Sequence, residues 1–167
     1  MHTIRALTVL GVVLAALGIV GTSLASRESS QIPFKATFSG RSDQPSPTTI
    51  LLDGSGTASH LGRVTNDGHV SVTGLSNDCT EGVTATNVEI LTAANGDTLT
   101  ITSHDVTCPT PPGQTSNYHG TGHWTVTGGT GRFSRTSGSG SFDGIADLQG
   151  HTFTVTLDGS LDLGEGS

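Results

Sequence analysis

A glycine-rich segment between two alternating runs is the feature that most constrains the fold of this chain. Residues 128–133 read Gly-Gly-Thr-Gly-Arg-Phe, and the flanking runs 118–127 and 137–147 alternate apolar residues or glycine with polar residues. Alternation with a period of two is typical of a β-strand that has one buried face. Glycine supplies the positive φ angles that a tight reversal between strands requires. The segment therefore predicts a β-hairpin within an all-β domain.

The same alternation recurs along the chain and predicts eight strands. Their approximate bounds are 32–39, 55–65, 69–75, 83–94, 97–106, 117–127, 137–147 and 152–161. Short turns at 66–68, 95–97 and 128–131 alternate with longer connections, of which 40–54 is the longest. We therefore predict an eight-stranded antiparallel up-and-down barrel, because closure removes exposed strand edges. A two-sheet sandwich is the alternative at this length.

The first 25 residues have the organisation of a secretory signal peptide. Arg5 precedes an apolar and small-residue run, 6–21, and residues 23–25 read Ser-Leu-Ala, a small-x-small cleavage site. The apolar run is shorter than the roughly 20 residues that span a bilayer, so we expect cleavage, with a retained anchor as the alternative. The predicted organisation is a leader, 1–25, and one secreted β-barrel domain, 26–167, without a stable membrane anchor.

The charge balance argues against nucleic acid as a partner. The net charge is −7, and it falls to about −8 once Arg5 leaves with the leader. The few basic residues form no stripe along the sequence. Such a chain repels a polyanion, so no nucleic-acid partner is expected.

Two cysteines, Cys79 and Cys108, are all that the chain contains. In an exported protein such a pair predicts one structural disulfide. Both follow odd-numbered strands, so a meander places them at the same end of the barrel. Free thiols or metal ligands are the alternative, but two cysteines without a CxxC spacing do not indicate a zinc site. We expect neither a metal nor a cofactor.

Side-chain parity assigns one face of each predicted strand to the interior. His60, Ser103 and Asp105 share the inward parity with apolar residues, and a mostly apolar cavity with a few polar groups is typical of a small-molecule site. These three are the candidate ligand contacts, and Tyr118 and Trp124 are candidates for the apolar wall. The alternative for each is a core residue that packs or hydrogen-bonds internally. No catalytic group is identified.

The strand at 83–94 does not reveal its inward face. Val88 and Ile90 share one face, while Leu91 shares the other with Asn87 and Glu89. Apolar residues on both faces leave the assignment open.

The glycine-rich turn resembles the GGTG-[KR]-F turn of dirigent proteins, whose fold is the allene oxide cyclase type of closed barrel. Thr136-Ser137-Gly138 stands where that family usually has Ala-x-Gly before the next strand. Residues 54–63 and 93–97 are also similar to segments of small exported bacterial proteins that carry the same turn.

This resemblance implies an eight-stranded barrel with a hydrophobic lumen, often assembled into homo-oligomers, without a metal or organic cofactor. Dirigent proteins steer the coupling of phenoxy radicals, and allene oxide cyclases close a reactive fatty-acid epoxide. The function implied is an exported barrel that binds a small hydrophobic molecule in its lumen and guides a cyclisation or a coupling. A non-catalytic secreted or cell-surface binding or structural module is the alternative, and whether the protein is an enzyme stays open.

Overall fold

The computed structural model describes residues 31–114 and 116–164, which form a closed barrel of eight antiparallel strands. The strands are β1 (Ile32–Ser46), β2 (Thr49–Ala58), β3 (Gly62–Leu75), β4 (Val83–Ala93), β5 (Thr98–Pro109), β6 (Asn117–Gly129), β7 (Ser137–Asp147) and β8 (Thr152–Asp162). Each strand pairs with its neighbours in chain order. The predicted all-β meander and its closure are confirmed, and the sandwich is excluded. The predicted leader, 1–25, lies outside the described residues.

The first and last strands close the barrel. β1 pairs with β8 from Ile32 opposite Leu161 to Arg41 opposite Thr152. The later part of β1, beginning at Ala36, pairs with β2. Because different parts of β1 serve its two neighbours, the register advances around the barrel, as the tilt of barrel strands requires.

Side chains alternate between the lumen and the outer surface along each strand. On β1, Phe34, Ala36 and Phe38 are buried, whereas Lys35 and Thr37 between them are exposed. The apolar residues that the period-two pattern assigns to one face therefore form the interior of the barrel.

The second predicted strand, 55–65, is wrong in its position. β2 ends at Ala58 and β3 begins at Gly62, so the reversal falls at residues 59–61, inside the predicted strand. His60 has a φ of 65° and Gly62 a φ of 76°. A histidine in the left-handed region is uncommon, so the sequence carries only a weak turn signal at this point.

The predicted turn at 66–68 and the predicted connection at 40–54 are also wrong, because the chain reverses at other positions. Residues 66–68 lie within β3, and 40–54 belongs mostly to β1 and β2. Asn-Asp-Gly has a high turn propensity, but Gly68 lies in the barrel interior, opposite Leu52 and Glu89. The packing of the interior overrides the local propensity.

The connections alternate between two ends of the barrel. We call the end with the β2–β3, β4–β5 and β6–β7 connections the closed end, and the end with the other four connections the open end. At the closed end, the glycine-rich turn forms a 3₁₀ helix, Gly131–Phe133, whose Phe133 is buried in the core. Gly131 has a φ of 57°, which agrees with the predicted role of glycine. Within the described ranges no helix is long and apolar enough to cross a membrane.

Aromatic rings fill much of the lumen. Phe34 packs edge-on against Trp124, with ring centroids 5.4 Å apart, and Phe38 packs edge-on against Phe153 at 6.3 Å. Phe153 also borders an internal cavity near the open end. The packed core thus ends at the ring of Phe153, and the cavity lies between this ring and the open end.

Cys79 of the β3–β4 connection is bonded to Cys108 near the end of β5. The predicted disulfide is confirmed, and it lies at the open end. It ties the β3–β4 connection to β5 across the strand that lies between them.

We expect the disulfide to contribute about 3–4 kcal/mol to the free energy of unfolding. The bonded residues are 29 positions apart, and cross-linking a loop of that length lowers the entropy of the unfolded chain by a corresponding amount. Urea unfolding of a Cys79→Ser/Cys108→Ser variant should show this loss. A reductant should lower the stability of the native chain to the same level and leave the double variant unchanged. Equal stability of the oxidised chain and the double variant would contradict the prediction.

Candidate functional site

A cavity of about 90 Å³ lies in the lumen near the open end. Its wall is mostly apolar and includes Ile50, Leu52, Val70, Val72, Tyr118 and Phe153. Three polar residues also line it: Asn87, Asp105 and Thr107. An apolar wall with a few polar groups is the composition typical of a small-molecule site.

The polar residues form a hydrogen-bonded network between β4 and β5. Asn87 Nδ2 donates to Ser103 Oγ at 3.1 Å and to Asp105 Oδ1 at 2.9 Å. The Thr107 hydroxyl donates to Asp105 Oδ2 at 2.6 Å. Because the carboxylate of Asp105 accepts hydrogen bonds, the amide atom of Asn87 that faces it is the nitrogen, which defines the orientation of this amide. Asn87 Oδ1 is buried and has no hydrogen-bond partner in the described part of the chain.

Asp105 is a buried carboxyl in contact with the cavity. Burial raises its pKa above the usual range, while the hydrogen bonds from Thr107 and Asn87 and the charge of His104 oppose the shift. A desolvated carboxyl that keeps two donors responds strongly to any further charge or donor that enters the cavity.

Glu89 is a second carboxyl in the lumen, and it is only 1% exposed. Burial raises its pKa to about 7, and the charges of Asp67 and Asp105 act in the same direction. Asn66 opposes the shift, although its geometry falls short of a hydrogen bond. Neither carboxyl oxygen of Glu89 has a partner among residues 31–114 and 116–164, and the same holds for both side-chain atoms of Asn66.

Gly68 makes the space that Glu89 occupies. A Cβ built on Gly68 would overlap Glu89 Oε2 and would come within 3.0 Å of Leu52 Cβ. Leu52 is in turn part of the cavity wall. Glu89 therefore lies behind this part of the wall, close to the cavity but not on its surface.

The structure brings together two of the polar residues that parity predicts. Ser103 and Asp105 are both buried in the lumen, 1% and 7% exposed, so their predicted inward placement is confirmed. Tyr118 is half-buried and lines the cavity. Their role in ligand binding stays a prediction.

The structure contradicts the predicted placement of two other residues. His60 does not point into the lumen, because it lies in the β2–β3 turn at the closed end, exposed, with Nε2 3.0 Å from the carbonyl oxygen of Pro33. Trp124 is fully buried against Phe34 in the packed core and is not part of the cavity wall. The error for His60 comes from the wrong position of the predicted strand, and the error for Trp124 comes from its distance along the barrel axis. Parity defines neither quantity.

Sequence reasoning missed Asn87, Glu89 and Thr107. β4 directs Ala85, Asn87 and Glu89 inward, and Val88 and Ile90 outward. The signal that resolves β4 is its register, since Asn87 pairs with Ser103 and Ala85 with Asp105 on the inward face of β5. Thr107 lies on the same face of β5 as Ser103 and Asp105, but it follows the predicted end of that strand at residue 106.

The outer surface carries a His–Asp pair on neighbouring strands. His119 Nε2 of β6 lies 2.9 Å from Asp143 Oδ2 of β7, and both residues are partly exposed. Across the described ranges, no three His, Cys, Asp or Glu side chains converge in a way that could hold a metal ion.

Fold and site together define a class of protein: a closed eight-stranded antiparallel barrel with an apolar cavity at one end. No protein-family model matches the chain, and no curated protein matches it. Among solved structures, the chain is similar to the pterocarpan synthase dirigent protein GePTS1, with a TM-score of 0.48 and 14% identity. The similarity covers 78% of this chain and 88% of that one.

We expect the stability of the protein to fall as the pH rises from about 5 to 8. The pKa of Glu89 is about 7 in the folded state, against 4.5 for a glutamate in water, so between these values the folded chain retains a proton that the unfolded chain has released. The free energy of unfolding then decreases by about 3 kcal/mol across this window. Glu89→Gln should remove most of that slope, as measured by urea unfolding at several pH values with the disulfide intact.

Glu81→Gln is the matched control, because Glu81 is exposed and its removal should leave the slope unchanged. Asp105, whose pKa is also raised, contributes a slope of the same sign in every variant. An identical slope in the native chain and in Glu89→Gln would show that Glu89 is ionised in the folded protein throughout this range.

Proposed function

We propose that this protein binds a small, mostly apolar molecule in the cavity at the open end of its barrel. The observation that carries the proposal is the contrast between the two ends of the lumen. The closed end is filled by buried rings such as Phe34, Trp124 and Phe133, whereas the open end keeps an apolar cavity with a polar network at its side. A barrel that needed only a stable core has no physical reason to keep polar groups there.

The size of the cavity limits what enters it. Small-molecule sites usually measure roughly 300–1,000 Å³, and an engineered cavity of about 150 Å³ holds benzene. At about 90 Å³, the cavity takes one small ring or the end of a chain after modest side-chain movement. The rest of a larger ligand projects through the open end.

The stronger form of the proposal adds guidance of a reaction. A rigid wall holds a reactive intermediate in one conformation, and a cyclisation or coupling then proceeds without a cofactor. Support comes from the closed barrel and from the resemblance of the glycine-rich turn to that of dirigent proteins. The disulfide supports export from the cytoplasm as part of the same proposal, because such bonds persist in oxidising compartments.

A non-catalytic secreted module is the second candidate function. It is favoured by the small volume of the cavity and by the extent to which side chains fill the remaining lumen. In that case the open-end cavity is a packing defect, and no ligand occupies it.

We expect benzyl alcohol to bind in the cavity and Ala146→Phe to weaken that binding at least tenfold. Ala146 of β7 lines the cavity between Tyr118 and Phe153, so a ring added there fills the space that the ligand needs. Two-dimensional NMR titration measures the affinity and identifies the residues whose signals shift. Native mass spectrometry of protein from its own host tests in parallel for a ligand that co-purifies.

Ser139→Phe is the matched control, since Ser139 is exposed on the outer face of the same strand. It should bind benzyl alcohol as the native chain does. If benzyl alcohol does not shift the signals of cavity residues, or if both variants bind equally well, the cavity is not a ligand site and the second candidate stands.

A further inference from the structure

Asn87, which lines the cavity, carries an unpaired hydrogen-bond acceptor. Asn87 is 3% exposed, and its Nδ2 already donates to Ser103 and Asp105. Its Oδ1 is buried without a partner in the described chain. A buried acceptor without a donor is costly, so a molecule that enters the cavity is favoured if it brings a donor.

The charges within the lumen have one sign. Asp105 and Glu89 are buried there, and among the described residues no Lys, Arg or His side chain is buried. No cationic side chain therefore compensates the two carboxyls from within. An anionic ligand would add a negative charge to this low-dielectric space beside Asp105, whereas a cation would offset the negative charge of the carboxyls.

Gly120 leaves free space next to one oxygen of Asp105. Gly120 and Asp105 both line the cavity, and a Cβ on Gly120 would lie 3.1 Å from Asp105 Oδ2 and 2.9 Å from Thr107 Oγ1. Any other residue at this position would occupy the space next to the carboxylate. The gap is therefore a place in which a donor group of a ligand fits.

Charge on the outer surface differs between the two ends. The acidic residues around the open end are Asp43, Asp78, Glu81 and Asp147. The basic residues around the closed end are Lys35, Arg63, Arg132 and Arg135, and the acidic residues there are Asp97, Asp158 and Asp162. Among the described residues, Arg41 is the one Lys or Arg nearer the open end. The entrance to the cavity is therefore negative, while the closed end is close to neutral.

We infer that the cavity selects a small organic cation, an apolar ring or chain with a protonated amine, whose ammonium group donates to Asp105 and Asn87. This inference rests on the proposed function and deepens it. Because water can also donate to the free acceptors, these acceptors do not define the charge of the ligand. They define only the polarity of its buried group, which must be a hydrogen-bond donor. The carboxyls inside and the acidic residues at the entrance define its charge, since they attract cations and repel anions.

Three probes of one shape test the inference: benzylamine, benzyl alcohol and benzoate, which are cationic, neutral and anionic at pH 7. By NMR titration, we expect benzylamine to bind about tenfold more tightly than benzyl alcohol, because its ammonium group adds a Coulomb attraction to the Asp105 carboxylate that a neutral hydroxyl lacks. Benzoate should bind at least about tenfold more weakly than benzyl alcohol. Raising the salt concentration from about 20 mM to about 0.5 M should weaken benzylamine alone, since salt screens the entrance.

Two variants and one control identify the group that selects the cation. Asp105→Asn should lower the affinity for benzylamine about tenfold more than it lowers that for benzyl alcohol, because the shape is kept and only the cation loses a Coulomb attraction. Asp143→Asn removes the same charge from the outer face and should change neither. Gly120→Ala narrows the gap beside Asp105 Oδ2 without altering charge, so it should weaken benzylamine even if Asp105→Asn does not fold.

The outcomes separate this inference from the proposed function. If benzyl alcohol binds in the cavity but benzylamine binds no more tightly, or benzoate binds as well, the charge selection is wrong and the cavity remains a ligand site. If Asp105→Asn and Gly120→Ala both keep the full affinity for benzylamine, Asp105 is not the group that binds the cation and the inference is overturned. Failure of all three probes to bind overturns the inference together with the proposed function.

Discussion

The pairing of β1 with β8 is the constraint on which the rest of this structure depends. Closure turns one face of each of the eight strands toward a shared interior. The side chains on that face are thereby removed from water, while those on the opposite face stay exposed. In an open sheet, Glu89 and Asp105 would reach solvent and titrate as ordinary carboxyls. Within the closed barrel, burial raises the pKa of both groups.

The lumen is divided by the size of the residues that fill it. Phe34, Trp124 and Phe133 occupy the closed end, and such rings leave little space. Toward the open end, Gly120 and Ala146 line a cavity, because small side chains do not reach the barrel axis. Gly120 also leaves free space next to Asp105 Oδ2, so the shape and the polarity of the site have a common origin.

Much of the fold follows from local pattern, whereas only part of the site does. Ser103 and Asp105 lie where their parity predicts, since two residues on one face of a strand must share an environment. His60 fails because an unusual left-handed residue hides the β2–β3 turn, which shifts the predicted strand. The inward placement of Glu89 is not predicted because its strand has apolar residues on both faces. The position of Trp124 is predicted wrongly because parity defines a side of the strand and not a depth in the barrel.

The sequence alone therefore predicted the strand number, the meander and the pair Cys79–Cys108, because each depends on alternation or order along the chain. Closure was favoured by the sequence over a two-sheet sandwich, and the pairing of β1 with β8 decided it. Only the tertiary structure decided which end of the lumen is packed, which face of β4 points inward and which carboxyls lose their water. Those outcomes depend on the register between strands distant in sequence, and on whether the volumes of facing side chains fill the space between them. Neither quantity is contained in the pattern of a single strand.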